Sequence, residues 1–424
     1  MRNKLLFVLS ILSCAFVSVA QDEYKTFVED GAWCWFSDPR SVYHKGAKEA
    51  IYTGWVDSEG NITIGMYDLK TKKQSSTIIK EKFQRDDHVD PSILFLPDGR
   101  LMTFFTRHNG GMYYTTSKKA EDISAFDDVT FLDLGSQLCY SNPVMLSEEN
   151  NRIYLFYRGG KTWKPTFLYS DDLGKSWSDP VTVVAKPEAN NYNRPYTKVV
   201  SDGKSTIHLA FTDGHPRDEA YNSIYYLKYE KGLWSDASGN FKVSMNDLPI
   251  NQHLVPRAYD GYKGNTRAWI WDIAIDDKNN PSIVYTRLPE ETKHEYFYGT
   301  WNGKEWLHSK VAPGGQDFPR DPERTKAKRN PEPHYSGGII LDHNNLNELY
   351  LSRPVEDRFE IFKYTKNGDK WNEEQITHDS KYDNVRPFVV RNMPKDHKPV
   401  VLWMENYMYI HYSNYKTGIK VKGL

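Results

Sequence analysis

The sequence predicts an all-β fold, a seven-bladed β-propeller of four-stranded antiparallel blades. Two observations carry that expectation. An Asp, Asn or Arg followed by Pro recurs ahead of short apolar runs, and after each run come a tight turn and a second aromatic or β-branched run. A third strand-like run follows in most units, with a weaker fourth. About seven such units of roughly 40 to 70 residues are the signature of a propeller.

The units follow one another along the chain. Asp38-Pro39 precedes Ser41-Val42-Tyr43, Asp90-Pro91 precedes residues 93–96, Asn142-Pro143 precedes Val144-Met145-Leu146, and Arg194-Pro195 precedes residues 197–200. Less regular copies begin near Trp269 and Gly338, and Arg386-Pro387 precedes Phe388-Val389-Val390. Turns such as Pro97-Asp98-Gly99 and Ser201-Asp202-Gly203 lead into residues 101–106 and 207–212, which makes each pair a hairpin. Long insertions in the fifth and sixth units leave six or eight blades open as alternatives. A hydrophobic content of 39% and an aromatic content of 14% supply the core of a single large domain over residues 21–424.

Residues 1–20 read as a secretory signal peptide. Arg2 and Lys4 precede an apolar run over residues 5–19, and Val17-Ser18-Val19-Ala20 is a small-residue exit with cleavage expected after Ala20. Cys14, after Leu12-Ser13, is a weaker lipid-acceptor alternative. The expected location is therefore periplasmic or secreted. No other stretch approaches about 20 apolar residues, so no membrane span is expected. Lys+Arg 55 against Asp+Glu 56 gives a net charge of -1, which excludes a global basic field for nucleic acid. Cys34 and Cys139 lack metal-ligand spacing, and both a disulfide and two buried thiols remain open. No nucleotide-binding loop, Ser-His-Asp order or metal motif stands out, so neither cofactor nor metal is expected.

In an antiparallel blade with strands A to D, the loop into strand A and the loop out of strand B share one face. The A–B and C–D turns share the other. That geometry gathers candidate residues on one mouth of the channel: His88 and His108 from the second unit, Tyr140 and Arg158 from the third, and Arg194, Tyr196 and His215 from the fourth. Arg40, Arg107, Arg287, Arg353 and Arg386 fall beside equivalent loops, which suggests an anion site, with Arg107 and Arg353 joining Arg194 and His215 as substrate-binding candidates. The alternative is a ring of Arg pairs with Asp38, Asp90 and Glu405 that ties blades together. Imidazoles suit acid–base work near neutral pH, and Tyr can exchange a proton with an oxygen where neighbouring cations depress its pKa. A paired-carboxylate arrangement for glycoside hydrolysis is not evident. Removing a proton α to a carboxylate demands cations that neutralise it, so the set fits β-elimination at C4–C5 of a uronic acid.

Two family resemblances add to this. Ser170-Asp171-Asp172-Leu173-Gly174-Lys175-Ser176-Trp177 follows the Ser-x-Asp-x-Gly-x-Thr/Ser-Trp turn and resembles the Asp box of sialidase-like BNR-repeat propellers, a mark of architecture rather than chemistry. Asp87-His88-Val89-Asp90-Pro91-Ser92, Arg107-His108, Tyr140-Ser141-Asn142-Pro143, Phe156-Tyr157-Arg158-Gly159 and Arg194-Pro195-Tyr196 resemble the propeller ulvan lyases, as does the opening from Asp30 to Phe36. The resemblance implies an acidic poly- or oligosaccharide substrate containing rhamnose and glucuronate or iduronate. It also implies His88 as proton abstractor, Tyr140 as donor to the leaving oxygen, and His108, Arg158 and Tyr196 as carboxylate holders. The leaving group is a sugar or, from a terminal uronate, water. A related propeller group cleaves rhamnose-α-1,4-glucuronate caps, and His44, in the first A–B turn on the opposite face, is the candidate for that rhamnosidase alternative. A non-catalytic glycan-binding propeller is the third reading.

Overall fold

The computed structural model describes residues 24–160, 163–188, 193–290, 292–315 and 335–424. The expected signal segment and Cys14 lie outside them. Proline lacks a backbone N–H, so it is tolerated where a strand begins or bulges. Pro39, Pro91 and Pro195 stand just ahead of first strands, while Pro387 lies in, and Pro143 just after, a register shift within a first strand.

Blade 1 is formed by Ser41–Lys45, Glu49–Val56, Ile62–Asp68 and Gln74–Lys80. Blade 2 runs Ser92–Phe95, Leu101–Thr106, Met112–Lys119 and Thr130–Leu132, with Asp122–Phe126 also pairing its third strand. Blade 3 comprises Leu138–Leu146, Arg152–Gly159, Lys164–Ser170 and Val181–Thr182. Blade 4 begins Thr197–Ser201, Thr206–Thr212, Ile224–Glu230 and Leu233–Ser235, and is widened by Lys242–Ser244 and Arg257–Tyr259. Blades 5 and 6 start at Arg267–Ile275 and Ile339–Leu341. Blade 7 is Asp383–Val389, Val401–His411 and Asn414–Lys422, completed by Lys25–Val28 from the other end of the chain. The blade count is therefore seven. First strands of neighbouring blades contact one another, which puts them around the axis.

The closing strand is held antiparallel to Asn414–Lys422, with Lys25 opposite Val421 and Thr26 opposite Lys420. Phe27 is buried there, and the Thr417 hydroxyl donates to the Gly31 carbonyl at 2.7 Å. Apolar side chains fill the gaps between blades. The Asp box does this for blades 2 and 3: Asp172 accepts from the Ser176 N–H at 2.8 Å, Ser170 Oγ accepts from the Gly174 N–H at 2.8 Å, and Trp177 sets its ring against Phe104 and Tyr114.

Several buried charges near the axis are paired, which offsets the cost of a low-dielectric interior. Asp38 accepts from Arg40 at 3.0 Å and from Lys198 of blade 4. Asp272 is bound by Arg391 at 3.0 Å and His343 at 3.1 Å. Arg386 of blade 7 is committed to Asp87 in the loop into blade 2, an inter-blade tie with a carboxylate other than those expected, whereas Arg40 pairs with Asp38 two residues away in its own loop. Cys34 and Cys139 are free, buried thiols.

Candidate active site

A short 3-10 turn, Asp87–Val89, delivers the first imidazole. Asp86 caps it by accepting the His88 N–H at 2.9 Å, which fixes the backbone that carries the ring. The same Asp86 carboxylate then binds two side chains: Oδ1 lies 2.8 Å from His88 Nδ1 and Oδ2 lies 2.8 Å from His108 Nδ1. The two rings stack at 4.2 Å with 14° between planes, and Tyr412 meets both edge-on. An ionised carboxylate only accepts, so each imidazole donates from Nδ1 and turns Nε2 away from Asp86. Burial opposes ionisation of Asp86, but His88 and His108 outweigh it and hold its pKa low.

One carboxylate between two stacked imidazoles favours a single extra proton. Burial disfavours charge on His88, yet Cys34, Asp86 and Asp87 together raise its pKa well above the usual histidine value. Burial pushes the Cys34 thiol up to about 11, so the two carboxylates do this work near neutral pH. His108 goes the other way, lowered by burial and by the His88 charge. His88 is the charged member and His108 the neutral one.

Tyr140 sits at the register shift in the first strand of blade 3, with a φ of 65°, a left-handed value that costs energy in a bulky residue. That kink sets its ring 5.9 Å from His88 and 6.0 Å from Tyr196. Burial raises its pKa well above 10, with Tyr196 adding to the rise and Arg158 only partly opposing it. The depressed tyrosine pKa expected from the sequence is therefore not what the surroundings produce, and Tyr140 stays a protonated phenol.

Arg158, at the end of the second strand of blade 3, is 3% exposed and packs over Tyr196 at 4.3 Å and Tyr140 at 4.9 Å. Its Nε and Nη1 have no hydrogen-bond acceptor among the described residues. His215 accepts the Arg217 N–H on Nδ1 at 3.0 Å, and burial with Arg217, Arg158, Arg194 and Arg267 around it drives its pKa well below the ordinary value. It is a neutral imidazole among guanidinium groups.

His88, His108, Tyr140, Arg158, Arg194, Tyr196 and His215 line one cavity of about 200 Å³, together with Cys34, Trp35, Phe36, Asn109, Arg217, Asp218, Trp269, Tyr335 and Tyr412. Two expected members do not join that lining. Arg107 lays its guanidinium over Phe83 at 4.7 Å, and Arg353 sits over Phe362 at 3.9 Å while donating to Glu373 at 3.1 Å. His44 lies at the far end of blade 1, stacked on Phe95 at 3.9 Å.

Residues 50–313 match the model of the BNR repeat-containing family. Among solved structures, the chain is similar to a PL25 ulvan lyase described as a new polysaccharide lyase family and bound to -[GlcA(1-4)Rha3S]-. Identity is 16% and the TM-score 0.66, over 95% of this chain and 96% of that one. It is also similar to the polysaccharide lyase Uly1, at 11% identity and a TM-score of 0.56 over 94% and 97% of the two chains. No curated protein matches the sequence. At these identities the solved structures speak for the fold.

Proposed function

This chain belongs to the BNR repeat-containing family, and from that premise and the cavity's chemistry we propose that it is a carbon–oxygen lyase acting on uronate-containing, rhamnose-bearing glycans. The observation that carries the proposal is Arg158: a buried guanidinium with two nitrogens that have no acceptor among the described residues, lining the same cavity as the cationic His88, is a place for a carboxylate. Similarity to two polysaccharide lyases, one holding a glucuronate–rhamnose fragment, agrees with it.

In the proposed reaction the uronate carboxylate pairs with Arg158 and His88. Charge grows on that group as the C5 proton leaves, and the two cations stabilise the developing aci-carboxylate. His108 Nε2, neutral and free of the Asp86 contact, accepts the proton. The electron pair left at C5 forms the C4–C5 double bond and expels the C4 oxygen, to which Tyr140 gives its phenolic proton. Proton count balances, since His108 gains one and Tyr140 loses one, and solvent exchange resets both. The resemblance in sequence assigned abstraction to His88; its two carboxylate neighbours favour the exchange of roles with His108. Arg194 and His215 border the same substrate.

The reaction is tested with oligosaccharides of alternating rhamnose and glucuronate, by ultraviolet absorbance of the new double bond conjugated to the carboxylate. Appearance of that band with a new non-reducing unsaturated uronate supports elimination. Cleavage that releases rhamnose without the band points to hydrolysis, and its loss in His44→Ala would place it on the other face.

A further inference from the structure

Two large aromatic side chains stand in solvent on the cavity face, at the junction of blades 4 and 5. Tyr221 is 41% exposed and Tyr262 is 62% exposed, and their rings lie 4.9 Å apart at 35°. Tyr221 belongs to the loop after the second strand of blade 4, the loop that also carries the cavity residues His215, Arg217 and Asp218. Tyr262 belongs to the loop that leads into the first strand of blade 5.

Both loops are built rather than loose. Asn222 accepts the Gly214 N–H at 2.9 Å and donates to the Ala268 carbonyl at 2.7 Å, while the Gly261 N–H donates to Ser223 Oγ at 3.0 Å. The backbones come so close that a Cβ at Gly261 would lie 2.2 Å from the Tyr221 carbonyl oxygen. Asp260 accepts the Tyr262 N–H at 3.0 Å, and the Arg257 guanidinium lies 5.5 Å from the Tyr262 ring. Two exposed rings held by this network lose little freedom when something lies on them.

We infer that Tyr221 and Tyr262 form a stacking platform for a sugar ring of the glycan outside the cavity, so that the site reads an oligosaccharide and not a single uronate. This rests on the lyase reading above. A pyranose has an apolar C–H face that suits an aromatic ring and hydroxyls that suit water, which matches rings left half in solvent. Continuity with the cavity argues for a glycan as the occupant. Only two residues lie between Asp218, which lines the cavity, and Tyr221, so their Cα atoms are at most about 11 Å apart, and the platform stands within one or two sugar units of the cavity lining. The occupant is a neutral ring, the rhamnose of the proposed substrate, because the anionic unit is already assigned to the guanidinium side.

The test compares rhamnose–glucuronate disaccharide, tetrasaccharide and hexasaccharide as substrates and, by calorimetry on Tyr140→Phe, as ligands. In the parent protein kcat/KM and affinity rise with chain length. In Tyr221→Ala/Tyr262→Ala that gain falls about five- to ten-fold, carried by KM, whereas Tyr221→Phe/Tyr262→Phe, which keeps the ring faces, retains it. A length dependence unchanged in the double alanine variant, with circular dichroism confirming its fold, overturns the platform while elimination stands. Length-dependent binding that the alanine variant loses, without any unsaturated product from the parent protein, sustains the platform and overturns the lyase reading. Absence of binding at every length overturns both.

Discussion

Arg158 is the residue on which the proposed chemistry turns, because its guanidinium is buried with two nitrogens that have no hydrogen-bond acceptor among the described residues. Arg158→Ala should lower kcat by about 10² to 10³, the scale seen when one preorganised donor to a developing anion is removed. Its melting temperature should change far less, which calorimetry will check; near-normal turnover would refute the carboxylate clamp. The imidazole pair gives a second prediction through pH. His108 must be neutral to accept a proton and its pKa is lowered, so kcat/KM should hold below the ordinary histidine value of about 6.5 and fall only in more acid solution. His88→Gln removes the cation that depresses His108, so the acid limb should move to higher pH, with kcat lowered by the lost charge. A pH–rate profile that stays in place in this variant would show that the two rings do not share a proton. Tyr140, by contrast, is held protonated by burial, and Tyr140→Phe should cost about 10² in kcat, the usual scale for a lost general acid. A substrate with a better leaving group at C4 should recover much of that loss, and should recover little in His108→Gln.

At the scale of strands and loops, what could be read from the residues was the face on which each loop emerges. Strand alternation and the Pro steps were enough to bring His88, His108, Tyr140, Arg158, Arg194, Tyr196 and His215 to one cavity, because those positions depend on blade topology alone. Arg107 and Arg353 emerge from equivalent loops but turn onto Phe83 and Phe362, and no pattern in the chain distinguishes an arginine that stacks sideways from one that points inward. Asp86 stands two residues before His88, and its signal in the chain is the Asp-Asp-His run ahead of a Pro step. Tyr412 comes from the turn between the second and third strands of blade 7, a unit whose Pro step marks only its first strand. The strained backbone at Tyr140 has no marker in the residues, since a positive φ at a bulge is imposed by the packing around it.

For the molecule as a whole, the seam decides stability. Six blades are made of consecutive strands, but blade 7 needs Lys25–Val28 from the opposite end of the chain, and Phe27 is the side chain that strand buries. Phe27→Ala should destabilise the protein by about 3 kcal/mol, the low end for emptying a buried phenylalanine site, measured by denaturant unfolding with the midpoint shifted and the slope retained. An unaffected midpoint would mean that the ring does not depend on its closing strand. The seam also has a consequence for how the ring closes. Lys420 and Thr26 meet across 394 residues of sequence, so this pairing is among the most non-local in the fold and carries the entropy of closing the whole ring. Until that pairing forms, Asn414–Lys422 presents an unpaired strand edge, a template on which a strand of another molecule could add in place of Lys25–Val28.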